Sequence, residues 1–166
     1  MVVSVSESRS VPLAVEAAYD GTIVTPLPEI FAHRYLALPR VARVEGQEGT
    51  WGGHVGQTRT IATSDGGSLR ETLTLVERPH RFGYRVDVLS GPMRPLVSHL
   101  DGEWVFEPGG AGTTITWSWD LHPRSVLTAP VVALIGRMWH GYARHALVTL
   151  ESILVTPDDS PAPRGG

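Results

Sequence analysis

The chain has 166 residues, 42% hydrophobic and 19% charged, with a formal net charge of −3. Such a length suits one core, and such a composition excludes collagen, coiled coil and disorder as the main state. Arginine is spread thinly, without the dense basic cluster that a phosphate backbone requires, so no nucleic-acid partner is expected. Without cysteine there is no disulfide, thiol nucleophile or zinc-thiolate site, and cytoplasm is the default compartment.

Taken in chain order, residues 2–11 alternate apolar and polar before Pro12, which predicts a first strand. The segment 14–24 places Val15, Ala18, Tyr19 and Ile23 on one helical face. Thr25 is read as the cap of a second short helix opened by Pro26 and Pro28. After Pro39 come short β-like runs at about 41–46, 57–63, 69–77, 82–89, 97–107 and 113–121, separated by Gly, Pro and Asp. Connections this short favour antiparallel neighbours. The segment 127–154 carries the strongest helical period, with Val131, Leu134, Ile135, Met138, Tyr142, Thr149 and Ile153 on one face and Arg137, His140, Arg144 and Glu151 opposite. Pro130 fits its first turn, and Ser125 or Thr128 can cap it. The longest apolar run, 126–135, is too short for a membrane span, the N-terminus has no signal-like pattern, and the polar 156–166 is expected to be a flexible tail.

Strand alternation assigns faces. Leu69, Glu71, Leu73 and Leu75 share a side, and a Ser64-Asp65-Gly66 loop sets Arg59 across from Glu71, which predicts a cross-strand ion pair. The next hairpins set Tyr84 near Leu75, Trp104 across from Trp117, Trp119 beside Gly102 and Leu100 near Leu121. The inward wall then reads Ile61, Leu73, Tyr84, Val86, Trp104, Phe106, Ile115, Trp117 and Trp119, met from above by Ile135, Met138, Tyr142, His145 and Thr149. One helix can pack this wall solid or leave a cavity, and the pattern leaves both open.

Gly56-Gln57-Thr58-Arg59, the strand of Glu71, Arg78-Pro79 before Phe82-Gly83-Tyr84, Trp104, and Gly112-Thr113 leading to Thr116-Trp117 follow an order that resembles the START-like helix-grip (SRPBCC) superfamily, most closely its polyketide cyclase/dehydratase and lipid-transport branch. The resemblance implies an α+β helix-grip fold over residues 1–155. A curved antiparallel sheet of about seven strands carries two short helices after the first strand, and a long C-terminal helix lies over an internal cavity. It also implies hydrophobic ligands, without implying catalysis.

The expected ligand-facing residues are Arg59, Glu71, Tyr84, Trp104, Trp117, Trp119, Met138, Tyr142 and His145, with a small hydrophobic molecule as partner and no cofactor. No catalytic residue is assigned. The seven histidines include no pair at ligand spacing on one predicted helical face, so no metal site is expected, and no Gly-x-Ser-x-Gly elbow exists. A binder or carrier is the leading reading. A cyclase, aromatase or dehydratase using Glu71, Tyr84 or His145 as acid or base is the second, and a protein-interaction module the third. A homodimer is compatible with all three.

Overall fold

The alternation in 2–11 produces β1 (Val3–Val11), whose Val5 and Val11 are buried. The computed structural model describes residues 1–156. The helices α1 (Val15–Val24) and α2 (Leu27–Ile30) follow. Six strands come next: β2 (Val41–Glu45), β3 (Thr58–Thr63), β4 (Ser68–Glu77), β5 (Arg81–Ser90), β6 (Val97–Gly109) and β7 (Gly112–Pro123). The helix α3 (Ala129–Val155) closes the described chain, and Thr156 alone of the expected tail lies inside the described residues. Among the described residues no helix is long and apolar enough to cross a membrane.

The seven strands form one antiparallel sheet in the order β1-β7-β6-β5-β4-β3-β2, so the first strand pairs with the last and β1 and β2 are the edges. Extra residues interrupt the register at Ala42 in β2, Thr74 in β4 and Ser98 in β6, and bulges of this kind bend a strand and curve its sheet. The bulge at Thr74 corrects one expectation: Tyr84 sits opposite Leu73, and Leu75 opposite Gly83. The pairs Arg59–Glu71, Trp104–Trp117, Gly102–Trp119 and Leu100–Leu121 stand as the turn lengths predict.

Two helix expectations are also corrected. Thr25 does not cap α2; its hydroxyl donates back to the Gly21 carbonyl at 2.6 Å, and Pro26 occupies the cap position. The buried face of α3 keeps Ile135 and Tyr142 of the expected stripe but also runs through Val132, Gly136, Trp139, Ala143, Ala146 and Leu150, so its centre lies about one residue beyond that stripe and Val131 and Leu134 are exposed. The cause is steric. A Cβ at Gly136 would lie 2.9 Å from Val3 Cγ1, so the glycine lets the helix settle directly on β1, and Ala143 and Ala146 continue that close line. On this course the polar residues of α3 reach the edge strand: His140 and Arg144 meet Glu7 at 2.8 and 3.1 Å, and Glu151 pairs with Arg9.

Candidate ligand-binding site

Farther across the sheet, over β3, β4 and β5, the concave face meets no long helix. The covering there is α1, α2, the segment 31–41 and the loop carrying Trp51, and beneath it lies a cavity of about 110 Å³, partly open to solvent. Its wall is overwhelmingly apolar, with Ile61, Val86, Trp104, Trp117 and Trp119 from the sheet and Phe31 and Trp51 from the cover. Trp104 and Trp117 stack at 5.1 Å between centroids, and Trp117 meets Phe31 at 5.2 Å. Such paired rings form a rigid apolar surface.

Thr22, Thr25, Thr63, Asp65 and Ser90 also line it, and two further polar groups interrupt that wall. The first is Arg59 with Glu71, directly opposed across β3 and β4 and both buried; the Arg59 Nε–H donates to the carboxylate. The guanidinium also lies 3.8 Å over the Trp51 ring, and its Nη1 approaches the Gln47 amide oxygen at 3.5 Å. Burial pushes the Glu71 carboxyl above its ordinary pKa, and the charge and hydrogen bond of Arg59 offset only part of that.

The second is the Tyr84 hydroxyl. The tyrosine ring lies flat across β6, where a Cβ at Gly102 would enter its van der Waals envelope, and so reaches β7. There its oxygen accepts the indole N–H of Trp117 at 2.8 Å and of Trp119 at 3.0 Å. Indole donates only, so both acceptor positions of the oxygen are filled, and the phenolic hydrogen has no acceptor among the described residues. Burial also pushes the Tyr84 pKa up, which keeps the phenol protonated. Tyr84 is thus a donor that has already been oriented.

The sequence-predicted residues divide cleanly. Arg59, Glu71, Tyr84, Trp104, Trp117, Trp119 and Tyr142 line the cavity, with Tyr142 pinned by its hydroxyl to the Pro39 carbonyl at 3.1 Å. Met138 and His145 do not, because the shifted face of α3 turns them away. Met138 packs against the rim of the core, and His145 is exposed with its ring 5.6 Å from that of Tyr35. Leu73, Phe106 and Ile115 point inward but are buried in solid packing.

Sequence reasoning missed Trp51, Phe31 and Trp139. Trp51 sits in a glycine-rich loop, and the order of that loop comes from buried Gln57. The Gln57 amide accepts the Gly52 and Gly53 N–H groups at 3.0 and 3.1 Å and donates to the Glu48 and Thr50 carbonyls, both at 2.9 Å. Gln57 stands in the Gly56-Gln57-Thr58-Arg59 motif, and its buried side chain is the available signal. His99 and His122 oppose each other across β6 and β7, a juxtaposition that spacing on helix faces does not detect.

A curved antiparallel sheet gripping a long helix, with an aromatic-lined hollow beneath its shorter cover, defines a helix-grip protein. The chain belongs to the polyketide cyclase/dehydrase and lipid transport family, whose model matches residues 2–154. No curated protein matches the sequence. Similar solved structures include Ara h 8.0201, with TM-score 0.69 at 12% identity over 93% of this chain and 98% of the other. Norcoclaurine synthase from Thalictrum flavum, in complex with dopamine and hydroxybenzaldehyde, gives TM-score 0.67 at 14% identity over 93% and 87%. The di-domain ARO/CYC BexL gives TM-score 0.64 at 18% identity over 93% of this chain and 50% of that one. At these identities the likeness is one of fold.

Proposed function

We propose that the protein binds a small, largely hydrophobic molecule bearing one hydrogen-bond acceptor, held in the cavity over β3–β5 without covalent chemistry. The observation that carries this reading is the Tyr84 hydroxyl, its acceptor positions filled and its hydrogen free within an aromatic wall. Ligand sites are largely apolar with a few placed polar groups, and this is that arrangement. Size narrows the class. An enclosed cavity of about 150 Å³ holds benzene, so about 110 Å³ with an open side is of the order of one small ring or a short chain.

The enzyme reading is weaker on the same geometry. A general base needs a free lone pair, and those of Tyr84 are occupied, while Glu71 is held by Arg59 through Oε2. His145, the third candidate, lies outside the cavity.

Tryptophan emission during titration with monocyclic phenols, ketones and unsubstituted arenes tests the proposal. Ketones and phenols are expected to shift emission and to bind more tightly than arenes of equal size in the native protein, a preference that disappears in Tyr84→Phe. Emission unmoved by the whole panel, with native mass spectrometry showing no retained small molecule, overturns it.

A further inference from the structure

On the convex face of the sheet, away from the cavity, a bulge gathers three side chains with ligating atoms. His99 and His122 oppose each other across β6 and β7, and Asp101 lies diagonally beside them. Their ligand atoms lie within 4.8 Å of one another. Leu100 and Leu121 point into the core, so alternation turns all three outward, where they are half-buried. We propose that His99, Asp101 and His122 form a binding site for a divalent first-row transition metal of the zinc class.

The orientation of the three groups carries the proposal further than their proximity does. Asp101 Oδ2 stands 3.2 Å from His122 Nε2 and 3.8 Å from His99 Nε2, while Oδ1 accepts the Arg85 Nε–H at 3.0 Å. Bonds of about 2.1 Å to a tetrahedral ion set its ligand atoms about 3.4 Å apart, a value that the two separations bracket. Arg85 therefore fixes the carboxylate with its free oxygen toward both imidazoles, as the outer partners of ligating groups do.

Ser98, the bulged residue, fixes the tautomer of His99. Its one hydroxyl hydrogen goes to the His122 carbonyl at 3.1 Å, so its oxygen can only accept from His99 Nδ1, 3.2 Å away. That places the His99 proton on Nδ1 and a bare lone pair on Nε2, facing a carboxylate oxygen. Two acceptors aimed at each other repel unless a cation or a proton lies between them. The two imidazoles stack at 4.1 Å, a distance at which two imidazolium rings would repel. Two imidazoles and one carboxylate suit zinc, nickel or copper; magnesium and calcium prefer oxygen-only sets.

Calorimetric titration of the full chain with zinc chloride, alongside magnesium and calcium chloride, tests the site. One zinc per chain is expected, with no heat from the other two salts. His99→Gln and His122→Gln each weaken that affinity about 100-fold, and Ser98→Ala about 10-fold by freeing the tautomer. Circular dichroism and melting without metal check that each variant is folded, and Ser98→Ala, which keeps all three ligands, decides the matter should the histidine variants not fold. No one-to-one binding by the native chain overturns the proposal, as does an affinity that is the same in these variants and so belongs to other histidines.

Discussion

Over β1 and β7 the sheet meets α3 through glycine and alanine, so helix and strands touch directly and Trp139 is fully buried beneath them. Over β3, β4 and β5 the same concave face meets two short helices and loops, and large rings stand around a space without filling it. Small residues thus make the solid half and large aromatics the hollow one. The difference shows that a cavity depends on how closely its cover can approach and not on how bulky its lining is, since Trp117 borders both halves, touching Trp139 on one side and Phe31 on the other.

The largest expected effect comes from the buried ion pair of the hollow half. Glu71→Ala leaves the Arg59 charge without its partner and should cost about 3–5 kcal/mol in urea unfolding. Replacing both residues with apolar ones of similar volume should restore much of that, and a double variant as unstable as the single one would assign the loss to packing. Tyr84→Phe comes next. It strands two indole N–H groups at about 1–3 kcal/mol each, less where water enters the cavity to replace the hydroxyl.

Overpacking then separates the halves directly. Ala143→Leu, in the solid half, should cost about 1–3 kcal/mol, because no neighbour can retreat. Val86→Phe, in the cavity wall, should cost less than that and abolish ligand-induced changes in tryptophan emission. Equal costs in chemical denaturation would mean that the cavity collapses in solution.

The smallest effect is one of sign. The Glu71 carboxyl has its folded pKa raised above 4.5, so the folded chain holds that proton more tightly than the unfolded one. Stability therefore falls as pH rises from about the unfolded value through the folded one, and is level above it. Glu7, under α3, is the reverse: burial pulls its pKa up, but hydrogen bonds and charge from Arg144 and His140 outweigh that and lower it. Its contribution is complete above the unfolded value and is lost as pH falls through the folded one. Glu71→Gln and Glu7→Gln should each remove one of these opposite slopes from a series of melts.

The hairpins were legible because turn length and alternation together fix register, and Arg59 could be set across from Glu71 from the count of loop residues alone. The same count applied to Trp104 and Trp117 also pairs position 99 with position 122, so the histidine pair was implied by a register already in hand. The rotation of α3 was not legible. Its sequence is apolar on more than one side, and the choice was made by Gly136 against Val3, a contact between chain ends that no local pattern encodes. Trp51 was hidden for a related reason: its loop has no period, and a single glutamine side chain holds its shape.

The pairing of β1 with β7 has a consequence for how the molecule comes into being. Val3 lies opposite Leu121, more than a hundred residues away, and α3 rests on both strands. A chain emerging from the ribosome can form the hairpins from β2 to β7 as it appears, but its first strand must wait unpaired until the seventh is made. Contacts of such long span slow folding, since the entropy of closing the loop is lost before any pairing repays it. During that interval the outer edge of β7 is open, and the hollow half can be assembled before the solid half that anchors it.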